Sequence, residues 1–122
     1  MDRPCLLVVD DDPYTRIAFN AFFTRGGWQV SLAATVAEAM SLLDDDPHYV
    51  ILDLDLPDGG GESVLEAVRA RGRGTQVMVC SGVSDPGRLA EVKRLSPEVL
   101  MGKPIDLGTV YRLREAAMAS SA

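Results

Sequence analysis

The sequence predicts an α/β fold, a doubly wound parallel sheet with helices on both faces. Three observations carry that expectation. Apolar runs that do not alternate recur along the 122-residue chain, which marks strands buried on both faces. Segments with helical spacing lie between the runs, giving strand then helix five times. Polar residues gather directly after the strands, where open sheets of this class bind their ligands.

Each element can be justified in order. Cys5–Val9 is the first strand, ending in LLVVDDDP. Pro13–Arg25 is the first helix, with Asp12 as its N-cap and Gly26-Gly27 as its stop. Gln29–Ala33 is a weaker second strand. Thr35 caps a second helix that runs to about Asp44, and Glu38 completes a capping box three residues on. Tyr49–Asp53 is the third apolar run. A glycine-rich loop, Gly59–Gly61, leads into a third helix carrying Val64, Leu65 and Val68. Gln76–Cys80 is the fourth strand. Asp85 caps a fourth helix with Pro86 at its first position, and Leu89, Val92 and Leu95 turn inward. Val99–Gly102 is a short fifth strand. The last helix carries Leu107, Val110 and Leu113 and frays in an Ala/Ser tail.

Composition bounds the function. Hydrophobic residues make up 47% and charged residues 25%, the profile of one soluble globular domain over residues 1–122. A net charge of −6 argues against a nucleic-acid surface, which would be basic. Cys5 and Cys80 sit inside apolar runs and read as small hydrophobes, so a reducing compartment is expected. No apolar stretch approaches the roughly 18 residues of a membrane span. The start, MDRPC, is too polar for a signal peptide. A cytoplasmic location, with no membrane contact, is the default expectation.

The acids after the first strand raise a question of energy. A helix N-cap needs one aspartate, not three. Like charges packed together require a cation between them, or protons. The strand ends supply Asp10-Asp11-Asp12, Ala34-Thr35, Asp53-Leu54-Asp55, Ser81-Gly82 and Lys103-Pro104. Carboxylates, a hydroxyl and an amine thus meet at one end of the sheet, and the aspartates there can form part of a cation site.

In this order and spacing, the whole chain resembles a receiver domain of bacterial two-component response regulators. Asp10-Asp11 is similar to the family's metal-binding pair. Asp53, with Pro57 and Gly61 after it, resembles the phosphoacceptor and its loop. Ser81 falls at the family's Ser/Thr position, and Lys103-Pro104 resembles its closing Lys-Pro. The resemblance implies a flavodoxin-like (βα)5 sheet in the order 2-1-3-4-5 and a cis Lys103-Pro104 bond. It implies transfer of a phosphoryl group from a phosphohistidine onto Asp53, with catalytic roles for Asp53, Ser81 and Lys103. The implied cofactor is Mg²⁺ or Mn²⁺, held by Asp10, Asp11, Asp53 and the backbone carbonyl of Asp55. The implied partners are a sensor histidine kinase or histidine phosphotransfer protein. A downstream protein or output domain would engage the fourth helix, fifth strand and fifth helix. Such a domain catalyses its own phosphorylation and slow dephosphorylation and is not an enzyme in the ordinary sense. A stand-alone receiver and a piece of a longer regulator both fit.

The residue types suit that chemistry. A carboxylate attacking a phosphoryl group meets negative charge, which a hard divalent cation on oxygen ligands relieves. Lys103 is a point charge for one phosphoryl oxygen and the Ser81 hydroxyl a donor for another. Other polar residues read as structural: Asp12 as a cap, Asp55 and Asp58 as solvated loop acids, and His48 as a turn residue. Phe19, Phe22 and Phe23 read as packing.

Two rival readings compete with this one. VILDLDLPDG resembles the DxD opening of haloacid-dehalogenase phosphatases, but that motif sits on a first strand with its acidic pair downstream. A degenerate receiver that only binds partners is the other rival, yet every required residue type is present. The departures from the family lie elsewhere. Leu100 replaces the usual aromatic three residues before the lysine, Ile105 replaces a frequent Phe, and Leu95-Ser96-Pro97 replaces Ala-Gly-Ala. The coupling from Ser81 to the signalling face is therefore expected to be weaker or differently routed.

Overall fold

The apolar runs pair with one another into a single sheet. Strands β1 (Cys5–Val9), β2 (Gln29–Ala33), β3 (Tyr49–Leu52), β4 (Gln76–Ser81) and β5 (Val99–Gly102) are all parallel, in the order β2-β1-β3-β4-β5. This is the flavodoxin-like order. Helices α1 (Pro13–Arg25), α2 (Val36–Leu42), α3 (Glu62–Arg71) and α4 (Pro86–Arg94) connect them. The computed structural model describes residues 3–104 together with 108, 109, 111, 112 and 115. Those last five are helical, in keeping with a fifth helix. Leu107, Val110 and Leu113, expected to face inward from it, lie outside the described residues, as does Ile105.

Strand alternation divides the interior into two cores. Leu6 and Val8 of β1 pack with Phe19, Phe23, Trp28 and Tyr49 on one face. Leu7 and Val9 pack with Val64, Leu65, Val68 and Val92 on the other. Trp28 is fully buried just before β2, edge-on to Phe23 and Tyr49. The edge strand β2 is only half-buried along most of its length, which is why its apolar pattern is weak in the sequence. Cys80 is buried and its thiol is pushed up to about 12 by desolvation, whereas Cys5 is half-buried; both are free. Among the described residues, no helix is long and apolar enough to cross a membrane.

The helix caps follow the sequence with one shift. Asp12 accepts the Tyr14 N–H at 3.2 Å and the Thr15 hydroxyl at 2.7 Å. Asp85 accepts the Gly87 N–H at 3.3 Å. Thr35 accepts from Glu38 N–H at 3.0 Å, but the Glu38 carboxylate reaches back to the N–H of Ala34, at 3.1 Å, instead of that of Thr35. The expected glycine loop is partly ordered as a ribbon, with Asp55–Leu56 antiparallel to Gly59–Gly60. His48 is structural, its Nδ1 accepting the Cys5 N–H at 2.9 Å.

Asp58 was expected to be a merely solvated acid. It is exposed, yet its two oxygens accept the N–H groups of Val36 and Ala37 at 2.8 and 3.1 Å. It thereby caps α2 from the loop after β3, and these bonds hold its carboxyl below the ordinary value of 3.8. An acid whose folded pKa is depressed stabilises above its unfolded pKa, and that contribution is lost as pH falls through the folded value. Asp58→Asn is therefore expected to lower the thermal midpoint at neutral pH. It is also expected to flatten the acid-side loss of stability, as read by thermal melts between neutral pH and pH 3. An unchanged acid limb would refute the assignment.

Candidate functional site

Sheet hydrogen bonding continues one residue past the strands, and this sets the site. Asp10 N–H donates to the Ala33 carbonyl at 3.0 Å, and Asp53 N–H to the Val9 carbonyl at 2.8 Å. Lys103 N–H donates to the Ser81 carbonyl at 3.0 Å. Because β1 and β3 are neighbours, these anchors put Asp10 and Asp53 side by side.

The outcome is an acidic cluster with one cation in it. One carboxylate oxygen each from Asp10, Asp11 and Asp53 lies within 4.8 Å of the others. Asp10 and Asp53 are buried and Asp11 is exposed. Lys103 Nζ donates to Asp10 at 3.0 Å and to Asp53 at 3.3 Å, reaching back over the strand ends from a cis Lys103-Pro104 bond. The remaining oxygens are also held: Asp10 accepts the Asp12 N–H at 2.9 Å, and Asp53 accepts the Asp55 N–H at 3.2 Å.

The electrostatics follow from burial against pairing. Desolvation raises the Asp53 carboxyl above its ordinary value, with the Asp55 N–H and Lys103 acting in the opposite direction. For Lys103, burial acts to lower the ammonium, but the hydrogen bond and charge of Asp10 and then of Asp53 outweigh it, and the net shift is upward. Lys103 therefore stays charged and screens two carboxylates that would otherwise repel each other. The set is all oxygen apart from that amine. It fits a hard divalent cation such as Mg²⁺ and offers no sulfur or imidazole for a softer one.

The other expected residues are placed differently. Ser81 is the last residue of β4 and not the first past it. It is buried, and its Oγ accepts the Val83 N–H at 2.9 Å, which leaves the hydroxyl proton free to be donated elsewhere. A Cβ added at neighbouring Gly82 would meet nothing within 4 Å, so the approach beside Ser81 is open. The Asp55 side chain turns away from the cluster and pairs with Arg88 at 2.8 Å. Leu100 is half-buried and packs on the core that contains Val92.

Three residues were missed in the sequence. Arg16 donates to the Asp10 carbonyl at 2.7 Å. Asp58 caps α2, as described. Arg88 grips the loop after Asp53 from α4. Nothing local marks Asp58 or Arg88, because each acts on a segment more than 20 positions away, and the Arg16 bond, six positions back, matches no capping or turn pattern. Gly61 is a different case. Its backbone is ordinary helical, φ −62° and ψ −16°, but a Cβ there would overlap the Asp53 carbonyl oxygen and lie 3.0 Å from Leu54 Cα.

Residues 6–113 match the family of the response regulator receiver domain. The chain belongs to that family. It is thus a two-component receiver whose acidic cluster is positioned for phosphorylation, and receivers catalyse their own phosphorylation and dephosphorylation. It is 34% identical to the Regulator of RpoS of Escherichia coli (strain K12) over 93% of its own length and 34% of that protein. It is 31% identical to the acid tolerance regulatory protein ActR of Rhizobium meliloti over 86% of its length and 54% of ActR. The chain therefore spans between a third and about half of these relatives. In fold, it is similar to the chemotaxis response regulator CheY4 of Vibrio cholerae, with a TM-score of 0.84 at 21% identity over 95% of this chain and 99% of that one. A receiver domain protein from Methanospirillum hungatei gives a TM-score of 0.84 at 18% identity, covering 98% and 99%. With Asp53 directly after the third strand and the acidic pair upstream of it, the haloacid-dehalogenase reading has no support left.

Proposed function

We propose that residues 1–122 act as a single receiver unit in which Asp53 is the phosphoacceptor. The observation that carries this reading is the convergence of Asp10, Asp11 and Asp53 within 4.8 Å, with Lys103 bridging Asp10 and Asp53. A carboxylate oxygen of Asp53 attacks the phosphorus of a phosphohistidine on a donor protein. The new O–P bond forms as the P–N bond breaks, and the electron pair leaves on the imidazole. Lys103 donates to one phosphoryl oxygen, replacing its contact with Asp53. The Ser81 hydroxyl proton is available to a second, and the opening beside Gly82 admits the donor. Asp10, Asp11, Asp53 and the Asp55 backbone carbonyl would hold Mg²⁺ or Mn²⁺, which when bound neutralises charge building on the phosphoryl oxygens. The donor is a sensor histidine kinase or a histidine phosphotransfer protein. The downstream partner or output domain engages the surface of α4, β5 and the fifth helix. The cellular site of action is the cytoplasm.

The direct test is exposure to acetyl phosphate and Mg²⁺, with intact mass as the readout. A gain of one phosphoryl group that disappears without the metal supports the reading, and no gain would overturn it. Metal binding has its own check. Removing Asp11 takes away a carboxylate without disturbing a buried pair. Asp11→Ala is expected to weaken Mg²⁺ binding in calorimetry by at least tenfold and to slow phosphorylation to match. Trp28 is packed against Phe23 and Tyr49 just before β2, whereas the cluster follows the opposite, C-terminal ends of the parallel strands. Its fluorescence is accordingly expected to change little when Mg²⁺ binds. A wild-type chain that gives no heat at millimolar Mg²⁺ would count against the site.

A further inference from the structure

Helix α4 is lightly anchored by apolar contact. Of its nine residues only Val92 is fully buried, against three in α3. Two arginines tie its ends instead: Arg69 of α3 donates to the carbonyl of Leu95, the C-cap, at 3.0 Å, and Arg88 holds the first turn. The Arg88 guanidinium donates to both oxygens of Glu62, at 2.5 and 3.0 Å, to Asp55 at 2.8 Å and to the Leu54 carbonyl at 2.7 Å. Glu62 opens α3, while Leu54 and Asp55 directly follow Asp53. The Leu54 carbonyl also accepts the Gly61 N–H at 2.8 Å, so Arg88 joins a backbone contact that already closes this loop. A planar fork satisfied on three partners is geometrically demanding, and a flexible ammonium cannot reproduce it.

We propose that Arg88 is the latch through which α4 reads the state of Asp53. Two routes join the site to this helix. The covalent route, from Ser81 through Gly82 to the Asp85 cap, is exposed over most of its length and includes a glycine with open space around it. Along it only Val83 is held, by packing on the core and by its N–H to Ser81 Oγ, while Gly82, Ser84 and Asp85 are exposed. The Arg88 route is half-buried and runs from the residue beside Asp53 straight to the first turn of α4. Leu100 is packed against the core that contains Val92 and has no polar tip to move between two environments. A shift of the Leu54–Asp55 backbone when Asp53 is modified must either carry Arg88 along or break its bonds. In both cases the position of α4 changes with it. This device rests on the reading of Asp53 as the phosphoacceptor, and its test must separate the two.

The experiment compares backbone amide chemical shifts with and without beryllofluoride and Mg²⁺ in the full chain. Arg88→Met keeps the aliphatic stem and removes the fork. In the wild type, changes are expected both at Asp53–Leu56 and at Leu89–Arg94. In Arg88→Met, the first group is expected to respond fully and the second to fall at least twofold. Leu100→Ala is expected to leave the α4 response in place. Glu62→Gln, which weakens the latch without touching α4, is expected to give an intermediate loss and decides the matter if Arg88→Met does not fold. A full α4 response in the latch variants, or its loss in Leu100→Ala, would overturn the proposal. A wild type in which neither group moves would overturn the phosphoacceptor reading, and the latch with it.

Discussion

Asp53→Asn is expected to abolish phosphate incorporation from acetyl phosphate and Mg²⁺ while leaving the fold at least as stable. Asparagine keeps the shape, and its one amide oxygen keeps the Asp55 N–H bond while Lys103, still held by Asp10, loses its contact with residue 53; the amide is no nucleophile toward phosphorus. The stability half of the claim follows from the sign of the shift. Burial raises the Asp53 carboxyl above its unfolded value. An acid of that kind favours folding below the unfolded pKa and opposes it once pH rises through the folded value. At neutral pH and without metal, the ionised carboxylate thus opposes folding, and its neutral isostere removes that cost and the repulsion from Asp10. Intact mass reads the first effect and a thermal melt in chelator reads the second. Labelling of Asp53→Asn at the wild-type level would sink the assignment. A clear drop in its midpoint would show that the carboxylate is better paired than the geometry indicates.

The second large effect is expected at Gly61. Its Cβ would overlap the carbonyl oxygen of Asp53, and the obstacle is backbone, not a movable side chain. Relief needs a shift of either the start of α3 or the residue that carries the nucleophile. Overpacking costs roughly 1–3 kcal/mol even where side chains can yield, and more where they cannot. Gly61→Ala is therefore expected to lower stability by about 3 kcal/mol and to slow phosphorylation at least tenfold, because Asp53 is displaced relative to Lys103. Gly82→Ala is the control. It has the same added methyl, but nothing lies within 4 Å of it. Denaturant melts and labelling rates on the two variants give the comparison. Equal behaviour would show that the close approach at Gly61 is not what holds Asp53 in place.

Much of this molecule is legible in one dimension. The buried strands announce themselves because a strand covered on both faces has no polar side to alternate with. Caps at Asp12, Thr35 and Asp85 are legible because their bonds span two or three residues. The residues of the cluster are legible too, since the chemistry of a strand end concentrates unusual residue types there. Their pairing in space needed the strand order, which came from resemblance and not from periodicity.

Tertiary structure alone decided the rest. Asp58 reads as a solvated loop acid and Glu62 draws no reading at all until their partners appear, 21 or 22 positions away for Asp58 and 26 for Glu62. Arg88 has no local signature, since its four bonds cross from α4, two to the loop after β3 and two to Glu62 at the start of α3. Gly61 has helical dihedrals, so no turn rule explains it; only the proximity of another backbone does. The physical reason is common to all four. Local sequence determines which backbone hydrogen bonds and apolar faces a segment can satisfy by itself. Long side chains and close backbone approaches are satisfied by whatever the fold brings near, and that is set only when the helices dock on the sheet.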